Sequence, residues 1–256
     1  MPSEPVGLLW PQWPVPGHVG SCMTTRQGGH SIAPWDSLNL GAMVGDSADA
    51  VAANRRDLAE AIGAQPVWLR QVHGCHVLRV SASDALQDPE TADAAWTSEP
   101  GVACAVLVAD CLPVLLAAPT GVAAAHAGWR GLAAGVLEGT VQALCDGTGT
   151  TPDAVCAWLG PCIGPRQFEV GADVLQTFGV AAEQADMPGF VWQGVRAGAP
   201  RWLADLQGLA RQRLGQAGVT RISSAQRCTV EERSDFFSYR RDGVTGRMAA
   251  AVWLHG

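Results

Sequence analysis

The chain has 256 residues, enough to bury a sizeable core as one large domain or two small ones. Apolar residues make up 48% and charged residues 16%, which excludes a disordered or fibrous chain and fits a well-packed globular enzyme. The formal net charge of −7 argues against a general nucleic-acid binder, which shows a basic excess, but leaves room for a local basic pocket holding a phosphate.

The proline-rich lead-in, residues 1–17 (MPSEPVGLLWPQWPVPG), lacks the basic start of a secretory signal, and its prolines interrupt every apolar run. No stretch approaches the ~20 apolar residues of a membrane helix. The expectation is a cytoplasmic protein without a membrane partner. A strand-like segment follows, then TTRQGGHSIAPWDSLNLG, a loop too irregular for helix or strand. Asp46 is placed to cap a helix running to about Ile62, with Val51, Arg55, Leu58 and Ile62 at helical spacing and Gly63 as its stop. PVWLRQV and HVLRVS read as strands, with His73-Gly74 at the break between them. VACAVLV, PVLLAA and GVAAAHA read as three short strands with tight connections.

LAAGVLEGTVQALC predicts a helix with Leu132, Val136, Leu137, Val141 and Leu144 on one face. Residues 202–217 predict another, with Leu203, Leu206, Leu209, Ala210 and Leu214 as its stripe. DFFSYRR and MAAAVWL read as closing strands joined by the DGVTG turn. No repeat or low-complexity linker divides the chain. The expected fold is α+β, one domain over 1–256, with mixed, largely antiparallel sheets flanked by helices.

Eight cysteines (22, 75, 104, 111, 145, 156, 162 and 228) stand at irregular spacings without a Cys-x-x-Cys, which argues against a zinc ribbon. A reducing cytosol argues against a disulfide framework. Most read as small core residues. Cys111 is distinctive for its position. If PVLLAA and GVAAAHA pair as an antiparallel hairpin, Cys111 and His126 meet at one rim of the sheet although 15 positions apart. Three readings are open for the pair: packing, a nucleophile with its base, or two ligands of a metal. Arg130 follows at a strand–glycine–helix junction, where free N–H groups and a forked cation suit a phosphate or a developing oxyanion. A third ligand is not selected by periodicity, since His73 and His76 would face opposite sides of a regular strand.

The strings TTRQGGHS, SLNLG, NRRDL, WLRQVHG, ADCLPVLL, AAAHAGWRGLAAGVLE, WLGPCIGPRQFEVG and FFSYRRDGVTGRMA closely resemble the multicopper polyphenol oxidase, or laccase-domain, family. Its bacterial members are described as purine nucleoside phosphorylases, and the resemblance spans about residues 20–254. It implies a zinc site of His73, Cys111 and His126, with His76 outside the motif. Three protein ligands and an open fourth position suit a catalytic zinc, which lowers the pKa of a bound water to about 7. It also implies phosphorolysis of adenosine, inosine, guanosine or S-methyl-5′-thioadenosine by orthophosphate, together with adenosine deamination at C6 of adenine. Asp110 or Asp93 would move protons, or else serve turns. Arg130, Arg26 and Asn39 are candidates for the phosphate cradle, and Tyr239 and Arg240 for the pocket wall. Arg240, Arg241 and Arg247 read first as salt-bridged or solvated charges.

Two other readings compete. The family resembles a deamidating-toxin-like Cys/His hydrolase fold, so Cys111 with His126 as base is an amide hydrolase alternative, with peptidoglycan-precursor editing as its setting. The family's older label implies a copper oxidase. Copper would accept this donor set, but six histidines and no His-x-His pair fall short of a multicopper site.

Overall fold

In the computed structural model, which describes residues 5–256, the apolar runs of the sequence become strands buried on both faces. Val102–Val108, Leu112–Ala118, Gly121–Ala127 and Met248–Leu254 are buried almost throughout. Side chains alternate along a strand, so each of these runs serves two cores. Ala103 and Ala105 join one core, whereas Cys104, Val106 and Val108 join another.

The strands form three sheets. The five-stranded sheet runs Leu8–Leu9, Val19–Thr24, Met248–Leu254, Val102–Val108, Gln65–Val67. The six-stranded sheet runs Arg221–Ser224, Cys156–Leu159, Leu112–Ala118, Gly121–Ala127, Ala94–Thr97, Val77–Arg79. A smaller sheet joins Glu169–Val170, Ala199–Ala204 and Phe190–Arg196. Eight of the ladders are antiparallel and three parallel, so the sheets are mixed and largely antiparallel.

The two larger sheets pack face to face. Val106 and Val252 of one meet Leu115, Val122, Ala124 and Trp158 of the other. Helix Ala48–Ile62 covers the outside of the five-stranded sheet, setting Leu58 and Ile62 on Ala103, Ala105, Ala249 and Ala251. Helices Val136–Thr148 and Leu206–Gln216 cover the outside of the six-stranded sheet with Val141, Leu144, Leu209 and Leu214. The order of layers is therefore helix, sheet, sheet, helices. The alanine-rich strands let neighbouring layers approach closely. Trp158, Trp202, Phe190, Phe236 and Phe237 fill the wider gaps and are fully buried; truncating such a residue to alanine costs about 3–5 kcal/mol. Among the described residues no helix is long and apolar enough to cross a membrane.

Several elements differ from the sequence reading, each for a local reason. Residues 1–4 of the lead-in lie outside the described residues. Ser47, not Asp46, caps the first long helix, its Oγ accepting the Ala50 N–H. Asp46 is occupied by the Ser31 hydroxyl and the Asn39 amide. Gly63 ends the helix as expected, in the left-handed conformation at φ 63°. PVWLRQV is a strand only over Gln65–Val67, and HVLRVS only over Val77–Arg79.

The helix expected over 132–145 is split in two, Trp129–Ala133 and Val136–Thr148, at Gly135 with φ 92°. The helix expected from 202 begins at Leu206, because Asp205 caps it by accepting the Gly208 N–H. Leu203 lies instead on the preceding strand. DFFSYRR is not a strand. Phe236 and Phe237 are buried as plugs, and Ser238 caps a short helix, Tyr239–Asp242.

Candidate metal centre

The hairpin forms in the register that joins the two ends. Pro113 pairs with His126 and Leu112 with Ala127, which puts Cys111, one residue further out, on the rim beside His126. His73 reaches the same rim from the loop after Gln65–Val67. One donor atom from each of His73, Cys111 and His126 lies within 4.8 Å of the others. The Cys111 sulfur stands 3.8 Å from His73 Nε2, and the two imidazole rings meet edge to face at 4.8 Å. Gly128 permits this crowding: a Cβ there would come within 3.0 Å of both Cys111 Sγ and His73 Cδ2.

Asp93 holds the cluster together. It precedes strand Ala94–Thr97, whose Ala94 pairs with Ala125, and its carbonyl accepts the His126 N–H. Its fully buried carboxylate accepts the N–H groups of Val72, His73 and Gly74 at 3.2, 2.9 and 2.7 Å. It also accepts His126 Nδ1–H at 2.8 Å. One carboxylate thus fixes two of the three donors, and it keeps His73 at φ 60°, a region few residues with a Cβ adopt. Burial works to raise the Asp93 carboxyl, but hydrogen bonds from His126, Gly74 and Val72 outweigh it and hold it below the usual carboxylate range. With Nδ1 committed, His126 turns Nε2 to the cluster, the arrangement that orients a metal-binding imidazole.

The metal-free electrostatics are those of a coupled pair. Burial works to raise the Cys111 thiol, yet the charge and hydrogen bonds of His126 and then His73 bring it down to about 6. Burial likewise opposes a charged His126, yet Cys111 and Asp93 carry it up to about 9. Both shifts favour the thiolate–imidazolium form of the pair over the neutral one.

The remaining candidates have diverse placements. Asp110 is buried at φ 89°; one carboxylate oxygen accepts the Thr229 hydroxyl and the other the Arg240 N–H, both at 2.6 Å. It pins the Thr229–Arg240 segment beside Cys111. Arg130 is exposed, its guanidinium 4.4 Å from the Trp129 ring. Arg26 donates to the Asp36 carbonyl and carboxylate and lies over Phe237. Asn39 is fully buried and saturated: its oxygen accepts Gly41 and Arg247 N–H groups, and its amide donates to Gly41 and Asp46. Tyr239 and Arg240 are exposed, and Arg240 reaches the carbonyls of Gln167 and Glu169. His76 is exposed in the loop after His73. Arg241 is paired with Asp242 as expected of a structural arginine, whereas Arg247 is half-buried and has no carboxylate partner among the described residues.

Three contributors were not visible in the sequence: the tethering role of Asp93, the clearance at Gly128 and the burial of Arg247. The strand Ala94–Thr97 is too short for its alternation to stand out, and no local pattern announces the other two.

The comparisons agree with this architecture. The family model described as multi-copper polyphenol oxidoreductase laccase matches residues 20–255. The chain belongs to that family. It is 49% identical over 251 residues to the purine nucleoside phosphorylase YfiH of Escherichia coli (strain K12), covering 96% of this chain and 98% of the relative. It is 50% identical over 248 residues to the purine nucleoside phosphorylase PA4543 of Pseudomonas aeruginosa, again covering 96% and 98%. Among solved structures, Neisseria meningitidis protein NMB0706 superposes with a TM-score of 0.86 at 44% identity, covering 98% of this chain and all of that one. YlmD from Geobacillus stearothermophilus gives 0.88 at 33% identity, covering 99% and 98%.

Proposed function

We propose that the protein is a zinc-dependent purine nucleoside phosphorylase, cleaving adenosine, inosine, guanosine or S-methyl-5′-thioadenosine with orthophosphate, and that it also deaminates adenosine. The observation that carries the reading is the His73–Cys111–His126 set, tied by Asp93, in a chain about half identical to proteins named purine nucleoside phosphorylase.

The donors fit the ion. Two imidazoles and one thiolate are borderline-to-soft ligands of the kind zinc takes. Their spacing, within 4.8 Å, needs only a small contraction around one ion. Zinc held there would supply Lewis acidity and a water of lowered pKa. The chain's own residues do the rest. His126 is oriented by Asp93, whose carboxylate has every lone pair engaged by donors and so acts by position rather than as a proton carrier. Asp110, next to Cys111 in the chain, anchors the segment that carries Tyr239 and Arg240 by accepting the Arg240 N–H. Arg130, four residues beyond His126 and free of a carboxylate partner among the described residues, is a cation available to phosphate at the same edge.

Metal analysis with a nucleoside assay tests the reading. About one zinc per chain, and adenine plus ribose 1-phosphate formed from adenosine only when phosphate is present, supports it; inosine reports the deamination. No phosphate-dependent cleavage of any of the four nucleosides would overturn it. A second reading has one observation in its favour: Asp93, His126 and Cys111 also form the carboxylate–imidazole–thiolate relay of a Cys/His amide hydrolase. A metal-free protein that a thiol alkylator inactivates toward a cell-wall precursor amide would favour that alternative.

A further inference from the structure

The two large sheets each contribute an end to the rim of the metal centre. Met248 pairs with Val108, and Cys111 lies three residues beyond Val108. Arg247, one residue before Met248, therefore stands on the sheet edge that faces the Cys111 side. Its placement is rigid. The Arg247 N–H donates to buried Asn39 Oδ1 at 2.8 Å, and its carbonyl accepts the Leu40 N–H at 3.0 Å. Gly41 makes room for the side chain, since a Cβ there would come within 2.7 Å of Arg247 Cγ. This is the use to which saturated Asn39 is put: it fixes an arginine.

The guanidinium itself is under-used. Nη1 donates to the Thr245 and Gly246 carbonyls, both at 3.0 Å. Nε and Nη2 have no partner among the described residues. Its Cζ lies over the exposed Tyr239 ring, 5.9 Å from the centroid. Asp110, on the same rim, already spends both oxygens on Thr229 and Arg240. Beside Arg247, the buried Thr245 hydroxyl also lacks a partner among the described residues. Arg55 is the instructive contrast. It too is substantially buried without a carboxylate, but there the Nε–Nη2 edge is taken, both atoms donating to the Leu40 carbonyl, with Cζ 4.3 Å from the Trp68 ring centroid. The Nε–Nη2 edge of Arg247 is open to solvent on a side chain that is otherwise half-buried, so it is accessible to an anion. The Met248–Val108 pairing and the neighbouring Tyr239 ring put Arg247 on the Cys111 side of the molecule.

We propose that Arg247 is the principal anion-holding residue of this pocket, presenting its free Nε–Nη2 edge to orthophosphate. The planar fork matches two oxygens of a tetrahedral anion, which a lysine cannot reproduce. The assignment deepens the phosphorylase reading and rests on it for the choice of anion.

The test uses the full chain loaded with its metal, titrated calorimetrically with sodium phosphate at constant ionic strength, alongside steady-state kinetics with adenosine. Wild type binds phosphate saturably. Arg247→Gln weakens that binding about ten- to a hundredfold, the range for a charged hydrogen bond, and raises the KM for phosphate correspondingly. The adenosine KM, the metal content and the Tm stay at wild-type values, and Arg247→Lys recovers only part of the affinity. Equal phosphate binding by Arg247→Gln and wild type overturns the inference, as does a variant whose Tm and adenosine KM move as much as its phosphate KM. Adenosine 5′-monophosphate binding that depends on Arg247 where orthophosphate does not bind overturns the choice of orthophosphate. Arg247-dependent phosphate binding without any nucleoside cleavage overturns the phosphorylase reading and leaves this one standing.

Discussion

Two regions of this molecule gather cysteines with titratable or charged neighbours, and they differ in nearly every respect that matters for chemistry. One is a cavity of about 470 Å³ lined by Cys162, Cys228, Arg166, Arg211, Arg227 and Glu231, with none of the three clustered donors in its wall. Burial pushes the Cys162 thiol well above its usual range, and Asp205 and Cys228 add to the effect. Two of its arginines are paired with acids, Arg166 with Glu231 and Arg227 with Glu232 and Asp235, whereas Arg211 donates to the Ile222 carbonyl and the Ser224 hydroxyl. The other surrounds Cys111, where two imidazoles reverse the burial effect and Arg247 has donors to spare. Room for a ligand and capacity for chemistry are separate properties. The second follows from which charges are left unbalanced.

The contrast can be broken at the cluster first. Cys111→Ala or His73→Ala should reduce bound metal from near one per chain to background by elemental analysis. Nucleoside cleavage should fall on the order of a thousandfold or more, since a metal centre supplies several kcal/mol to the barrier. Retained metal in either variant would remove the cluster from the site. Next in size is Asp93→Ala, which strands the His126 imidazole and the Val72, His73 and Gly74 amides. Calorimetric unfolding should show a loss of about 3–5 kcal/mol. The gentler Asp93→Asn should lower metal affinity about 10–100-fold in chelator competition.

Gly128→Ala should be smaller again. The added methyl meets Cys111 and His73 at 3.0 Å, an overpacking cost of roughly 1–3 kcal/mol. It should appear as weakened metal binding more than as a lowered Tm of the metal-free chain. The thiols themselves sharpen the comparison without touching metal affinity. In metal-stripped protein carrying Cys75→Ser, alkylation of Cys111 should rise with pH through about 6, because the thiolate forms above that value. Cys162 should stay unreactive until the chain unfolds, and equal rates at the two sulfurs would erase the distinction. The smallest expected effect is Cys228→Ser, which should leave metal content and nucleoside cleavage at wild-type levels.

Much of the frame was readable because it rests on local periodicity. The five long apolar or amphipathic runs at 48–62, 102–108, 112–118, 121–127 and 248–254 became the elements expected of them, within a few residues. The misreadings came where a longer-range demand overrode the local pattern. Phe236 and Phe237 alternate plausibly for a strand but are drawn into the space between layers, and Asp205 cuts a helical stripe short by capping it from within. The Cys111–His126 meeting was legible as geometry, since a tight hairpin has only one way to bring its ends together. His73 was not. It stands on an irregular loop with φ 60°, where no period selects it, and only the family motif pointed to it.

By itself, then, the sequence determined the class of fold, the hairpin that joins Cys111 to His126, and through its motifs the family and the three donors. The tertiary structure alone decided which charges at that rim are committed and which are free. Asp93 and Asp110, read alike from the sequence as proton carriers or turn residues, became the clamp of the cluster and the anchor of the Thr229–Arg240 segment. Arg247, one of three arginines expected to be ordinary, became a guanidinium with an open edge. The reason is physical. Periodicity records which side of a strand or helix is apolar, a short-range property. Whether a buried charge finds a partner depends on residues tens to hundreds of positions away, and only the packed chain brings them within hydrogen-bond reach.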